Sequence, residues 1–212
     1  TNVFGLGLGL SVGFVILYWV NNEYGMNTFH EEADRIYQVN YKFKNNNDVV
    51  ILENVPAPVA IYAGEHIPDL EKIVRMRYTY SNKQPVKVNE NVFIEDKWGY
   101  TENTFFEIFD FPIVKGSSTE PFAPGFTAIL SESTAKKYFG NENPIGKTIH
   151  FRDTTVSISA VMKDFPASSS LQFHILFSME MQKYRGKGNW RNIDQDWNNS
   201  DYATFALMKP GA

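Results

Sequence analysis

FGLGLGLSVGFVILYWV, residues 4–20, decides how the rest of the chain is read. Its glycines, Gly5, Gly7, Gly9 and Gly13, invite comparison with a loop that cradles phosphate. The spacing excludes that reading. The dinucleotide fingerprint is G-x-G-x-x-G, but Gly7 and Gly9 are followed at the third position by Val12, and Gly5 and Gly7 by Leu10. Nor does an acidic ribose partner follow in a strand–turn–helix context. What the glycines do satisfy is a four-residue repeat. Gly5, Gly9 and Gly13 stack on one face of a helix, and such a face lets a second helix approach closely in lipid.

Length separates a core helix from a membrane helix, because an apolar run of about 10–14 residues suits a soluble core and about 18 or more suits a bilayer. No charge occurs from Thr1 to Asn22. At 1.5 Å per residue that stretch makes roughly 33 Å of helix, against a hydrocarbon thickness of about 30 Å. Eleven residues between Val3 and Val20 are Leu, Ile, Val or Phe, which favours insertion. Tyr18, Trp19 and Tyr24 gather where the run ends, as amphipathic rings do at a membrane–water boundary. A membrane helix over 1–24, in contact with lipid, is therefore expected. A cleaved signal peptide fits poorly, since the run ends in Tyr-Trp-Val-Asn-Asn-Glu with no small-residue cleavage site. The chain starts at Thr rather than Met and is read as a fragment, so its orientation is not taken from flanking Lys and Arg.

The remaining residues suffice for one large domain or two small ones. Hydrophobic residues at 43% and aromatics at 15% support a packed core. A net charge of −4 argues against a nucleic-acid partner, which requires a concentrated basic surface. Cysteine is absent, and with it disulfides, thiolate zinc sites and cysteine nucleophiles.

Past the apolar helix, Thr28-Phe-His-Glu31 reads as a capping box opening a short helix. Tyr37, Val39, Tyr41 and Phe43 then alternate with polar residues, as in a half-buried strand that ends in the turn Asn45–Asp48 and returns through Val49–Leu52. A helix is expected over Pro56–His66 and strands near Val74–Tyr80, Val86–Val88 and Val92–Trp98, with a turn at Ser81–Gln84. Thr104–Phe109 reads as a second capping-box helix, with Phe105, Phe106, Phe109 and Phe111 in the core. Gly116–Pro124 reads as an exposed loop and Thr127–Leu130 as a strand. Ser131 should cap a helix stopped by Gly140. A hairpin is expected from Lys147–Phe151 and Val156–Met162 around Asp153-Thr154. A strand at Phe173–Phe177, a helix at Met179–Tyr184 and a last strand at Asp201–Met208 follow. Strands and helices mix without regular alternation, which points to the α+β class.

No stretch of the sequence assembles an active site. Gly140 and Gly146-Lys-Thr148 resemble a nucleotide-binding loop, but five residues separate the glycines where four are required, Pro144 interrupts, and a strand-prone run follows in place of a helix. His30, His66, His150 and His174 are scattered without the spacing that places two imidazoles on one metal. No G-x-S-x-G elbow is present, and Glu107 and Asp110 read as solvated charges beside phenylalanines. Catalytic, cofactor-binding and metal-binding residues are each expected to be none.

Several segments taken in order resemble the MacB-like periplasmic core domain of ABC transporter permeases of the MacB/FtsX type. They are the FGLGLGLSVG helix, Asn27-Thr-Phe-His-Glu-Glu-Ala-Asp-Arg-Ile-Tyr37, Thr101-Glu-Asn-Thr-Phe-Phe-Glu-Ile-Phe-Asp-Phe-Pro112 and Leu130-Ser-Glu-Ser-Thr-Ala-Lys-Lys-Tyr-Phe-Gly140. Asn143-Pro-Ile-Gly-Lys-Thr148, Val161-Met-Lys-Asp-Phe-Pro166 and Leu207-Met-Lys-Pro-Gly211 complete the series. Each motif is weak alone, and the ordered set is specific.

The resemblance implies a first transmembrane helix at 1–24 and a two-lobed periplasmic domain, with three further helices in the complete protein. The porter-like lobe would be built from 25–104 and 166–212, with an inserted lobe at 105–165. It also implies a permease dimer in the cytoplasmic (inner) membrane, a cytoplasmic ABC ATPase partner and, in some members, a periplasmic membrane-fusion protein. The work done would be mechanotransmission for export or efflux, with Gly5, Gly9 and Gly13 packing the first helix into the membrane bundle. The competing expectations are a single-span, membrane-anchored extracytoplasmic sensor or binding module, and a membrane-tethered enzyme.

Overall fold

The computed structural model describes residues 2–45, 48–80, 82–184 and 191–212. Helix α1, Asn2–Tyr24, runs unbroken for 23 residues and buries no side chain. The Ser11 hydroxyl donates to the Gly7 carbonyl at 2.8 Å, so the helix satisfies that polar group internally. A turn of 3-10 helix at Ala33–Arg35 leads into β1, Ile36–Val39. β2, Tyr41–Asn45, pairs only with β3, Asp48–Leu52, as a separate two-stranded sheet. β4, Asn54–Val55, and α2, Pro58–His66, precede the long strand β5, Leu70–Thr79. Then come β6, Gln84–Val88; β7, Asn91–Glu95; β8, Trp98–Thr101; the single turn α3, Phe105–Ile108; and β9, Ile113–Lys115. β10, Thr127–Ser131, runs directly into α4, Glu132–Phe139. β11, Thr148–Phe151, and β12, Thr154–Met162, form a hairpin; β13, Ile175–Ser178, α5, Glu180–Lys183, and β14, Tyr202–Met208, finish the chain.

Among the described residues the body is one mixed sheet in the order β1-β14-β5-β8-β13-β10-β12-β11-β6-β7, with β4 joining β14 and β9 joining β12. The β8/β13 and β10/β12 pairs are parallel and the rest antiparallel. Parallel strands tend to be covered on both faces, and that is the case here. All residues of β10 are buried: Ala128 and Leu130 face one apolar core, Ile129 the other. α4 covers the first core with Ala135, Tyr138 and Phe139, and α3 covers the second with Phe105 and Ile108. The register of β10 on β12 slips between Ala128 and Ile129, so Ile158 and Val161 share one core while Ala160 and Met162 share the other. Gly116 lies against this irregularity with φ 97°, where a Cβ would stand 2.6 Å from the Ser159 carbonyl oxygen. Only glycine fits there.

The α+β class and the terminal apolar helix stand as the sequence implies. Local details depart from expectation for physical reasons. Neither threonine capping box forms: the Thr28 hydroxyl donates back to the Gly25 carbonyl at 3.0 Å, and the Thr104 side chain makes no capping bond. Ser131 does cap α4, accepting from the Thr134 N–H. The expected strand from Tyr37 to Phe43 breaks at Asn40 into β1 and β2, and Tyr37 and Tyr41 are at least half exposed. The β11–β12 turn falls at Arg152-Asp153, one residue early, with Arg152 at φ 52°. β13 starts at Ile175; Phe173 is buried ahead of it. Phe105, Phe109 and Phe111 are core residues as expected, with Phe106 partly covered. The tip of the Asn45–Asp48 turn at 46–47, and Ser81 in the next expected turn, lie outside the described residues.

Candidate functional site at the membrane junction

The sequence offers one place where an apolar helix of bilayer length must connect to a water-soluble body, and the junction there is built from polar contacts between distant segments. α1 ends in a turn in which the Gly25 N–H donates to the Asn21 carbonyl at 3.1 Å. Asn27 then adopts φ 60°, a conformation asparagine tolerates better than most residues. Its backbone N–H donates to the Ser168 carbonyl at 2.8 Å, its Nδ2 donates to Ser170 Oγ at 3.0 Å, and its Oδ1 accepts from the Ser170 N–H at 2.9 Å. Three bonds thus tie the residue that follows α1 to the loop before β13.

A second tie follows at once. The Asp110 N–H donates to His30 Nδ1 at 3.0 Å, and Asp110 Oδ2 accepts from the Glu31 N–H at 2.8 Å. His30 is only 6% exposed, and its ring lies against Phe29, Phe109 and Phe111, with centroid separations of 4.1, 5.3 and 5.2 Å. Burial in this aromatic corner pushes the imidazole pKa below its ordinary value, against the opposing pull of the Asp110 carboxylate. The neutral ring, accepting at Nδ1, is the form the geometry requires. Arg35 then fastens the start of β1 to the sheet, donating to Glu71 at 2.7 Å and to the Met208 carbonyl at 2.6 Å. β1 pairs with β14 from Ile36 opposite Leu207 onward, so the strand that leaves the junction and the last strand of the chain lie side by side. A cavity of about 320 Å³ opens beside the junction, lined in part by Met26, Ile36, Leu171 and Phe205.

The sequence-derived site residues Gly5, Gly9 and Gly13 all lie on α1, and a Cβ added at any of them would meet nothing within 4 Å. Residue chemistry marks His30 only as one of four scattered histidines and Asp110 only as a solvated charge, and it marks Asn27 and Ser170 not at all. Asn27, His30 and Asp110 lie within the quoted Asn27–Tyr37 and Thr101–Pro112 motifs, Ser170 lies four residues past Val161–Pro166, and the His30–Asp110 contact is where the first two motifs meet. The available signal was a histidine next to a single phenylalanine, Phe29, which names no partner.

Other candidates resolve into structure. Gly146, at φ 80°, donates its N–H to the Ile158 carbonyl at 2.8 Å, and Lys147 pairs with Glu142, which leaves no cradle of free N–H groups. His66 bonds the Tyr62 carbonyl, His150 meets Thr155, and His174 contacts Glu95 at 2.8 Å, so the four histidines occupy four separate places. Glu107 pairs with Lys72 at 2.9 Å. The deepest charge is Glu95, 1% exposed, which accepts from Lys137 at 2.5 Å and Tyr138 at 2.9 Å as well as contacting His174. Burial alone would raise its pKa; the bonds from His174, Lys137 and Tyr138 outweigh burial and hold it below the ordinary carboxylate range. Arg75, 6% exposed, is similarly bridged by Glu102 and by Asp194 at 2.6 Å.

Comparison with known proteins agrees with this architecture. No curated protein matches the chain. Among solved structures, a domain assigned to a permease protein from Porphyromonas gingivalis superposes with a TM-score of 0.68 at 22% identity, covering 86% of this chain and 79% of that one. The periplasmic region of MacB from Actinobacillus actinomycetemcomitans gives a TM-score of 0.58 at 12% identity, covering 90% and 79%. The extracellular domain of the noncanonic ABC-type transporter YknZ from Gram-positive bacteria gives 0.56 at 12%, covering 83% and 84%. At these identities the likeness is one of fold. The family model of the MacB-like periplasmic core domain matches residues 1–212, and the chain belongs to that family.

Proposed function

We propose that this chain is the first membrane helix and extracytoplasmic body of an ABC transporter permease, and that it passes motion driven by a cytoplasmic ATPase across the membrane for export or efflux. The observation that supports this reading most is the junction. α1 buries no side chain within the chain, yet its C-terminal end is tied by Asn27 to Ser168 and Ser170 and by His30 and Glu31 to Asp110. A shift or rotation of the helix would therefore load two separate loops of the body within a few residues. A helix that served only as a tether would need no such double attachment.

Gly5, Gly9 and Gly13 are proposed as the face on which α1 packs against other helices of the permease, since small residues let backbones approach in lipid. The permease is proposed to dimerise in the inner membrane with this body in the periplasm, and a membrane-fusion protein is a further proposed partner. The division into a lobe of 25–104 with 166–212 and an inserted lobe of 105–165 is a proposal as well. Strands β8, β13 and β10 are hydrogen-bonded neighbours, so relative motion of such lobes would have to bend that ladder. The body is proposed to do no chemistry of its own, its buried charges being spent on fixed internal pairs.

Replacing Gly5, Gly9 and Gly13 together by Leu in the full-length protein tests the reading. Assembly with the ATPase or transport should be lost while the protein stays in the membrane fraction. Unchanged ATP-driven transport would defeat it, and a full-length gene product with no further spans would favour a single-span sensor.

A further inference from the structure

A second cavity, away from the junction, is bounded by β5, β8, the β11–β12 turn and α5. It measures about 290 Å³. Three arginines from separate segments line it: Arg77 on β5, Arg152 in the turn, and Arg191. Asp153 is the one carboxylate among its described lining residues. A neighbouring cavity of about 200 Å³ shares Arg77, Tyr100 and Arg152 with it and adds the carboxylate of Asp201.

The arginines are held but not used up. Arg77 donates through Nη2 to Asp201 and through Nη1 to Gln182, both at 3.0 Å, which leaves other guanidinium donors unspent. Arg191 pairs with Asp196 and also donates to the Asn199 amide oxygen in the orientation that satisfies that amide, while its Nε is buried and finds no partner among the described residues. Arg152 is fixed differently. Its guanidinium lies over the Trp98 ring at 5.1 Å and the Phe151 ring at 5.4 Å, and among the described residues it forms no ion pair. Its backbone sits at φ 52°, a conformation that a long side chain adopts only where its surroundings enforce it. An arginine in a glycine-like backbone position, laid flat on a tryptophan and presented to a recess with two other guanidiniums, is an arrangement that the packing of the sheet does not require.

We propose that this recess binds a small ligand through a carboxylate or phosphate group, gripped by the guanidiniums of Arg152 and Arg77, with Arg191 closing the site. The planar fork of arginine matches both oxyanions and favours two parallel hydrogen bonds, which a lysine cannot supply. The volume suits a small molecule and not a folded partner. The inference does not rest on the force-transmission reading.

Calorimetric titration of the full chain in detergent with inorganic phosphate and, separately, with benzoate tests it. Saturable binding of at least one probe is expected, and the probe that binds more tightly identifies the anion class. Arg152→Gln should weaken that binding about tenfold, and Arg152→Lys should fail to restore it. Arg152 lies in an exposed turn, and the thermal midpoint of each variant checks folding. If Arg152→Gln does not fold, Arg77→Gln, the other gripping residue, serves in its place with the same expected direction. The proposal is overturned if neither probe binds saturably, or if the folded variant binds as tightly as the wild type.

Discussion

α1 and α4 are both regular helices, and they answer to different solvents. α4 is short and two-faced: Thr134, Ala135, Tyr138 and Phe139 are buried, while Glu132, Ser133, Lys136 and Lys137 are exposed. It carries a serine cap, an acidic residue in its first turn and lysines in its last, as suits a helix that competes with water at both ends. α1 has none of these devices, carries no charge before Glu23 and buries no side chain among the described residues. An element with no hydrophilic face is stable only where its whole surface is out of water. The body can therefore be disrupted by removing core atoms, whereas α1 is sensitive only to changes in what surrounds it.

The contrast is broken most severely from the body's side. Phe105 is fully buried at the centre of the core beneath α3, stacked on Phe111, so Phe105→Ala should cost about 3–5 kcal/mol in chemical denaturation. A loss below about 1 kcal/mol would mean that this core is not packed as described.

Acid comes next. The His30 pKa is lowered on folding from its ordinary 6.5, so the unfolded chain binds the proton more readily. The stability that His30 contributes is present in full above pH 6.5 and is lost as pH falls through the lower folded value. Glu95 is also lowered, from 4.5, and its contribution is lost in a separate, more acidic window. A denaturation midpoint followed across pH should show two steps, with His30→Gln abolishing only the first. A profile unchanged by His30→Gln would remove His30 from the junction.

The smallest effect sharpens the comparison from the other end. Because a Cβ at Gly5, Gly9 or Gly13 meets nothing within the chain, the triple leucine variant should shift the body's denaturation midpoint by less than about 0.5 kcal/mol. A larger loss would mean that α1 packs on the body, contrary to the structure.

What the sequence revealed follows from the range of the signal. α1 is read from the length and apolarity of its run, and α4 from its two-faced pattern with Ser131 and Gly140 marking its ends, so these elements are legible from local sequence. The strand through Tyr37 misled because its alternation was taken to mean burial, while the edge position of β1 and the separate β2–β3 sheet leave Tyr37 and Tyr41 exposed. β10 alternates between two cores and so shows no polar face for a period-2 reading to find. The junction was hidden for another reason. Asn27 meets Ser170 across 143 positions and Asp110 meets His30 across 80, and single asparagine, serine and aspartate residues carry no mark of so distant a partner. The resemblance to a family picked out segments that contain Asn27, His30 and Asp110, though not Ser170, without indicating what they do.

The claim on which the account turns is that the Asn27 and His30 ties carry motion from α1 into the body. In the full-length permease with its ATPase in proteoliposomes, two spin labels on cysteines introduced at exposed residues, Tyr37 of β1 and Val92 of β7, would report distance changes in the body by pulsed electron resonance. The account predicts that the distance changes between nucleotide-free and ATP-bound states in the wild type. It also predicts that an Asn27→Ala and Asp110→Ala double variant hydrolyses ATP yet loses the change. A double variant whose body moves as far as the wild type would contradict it.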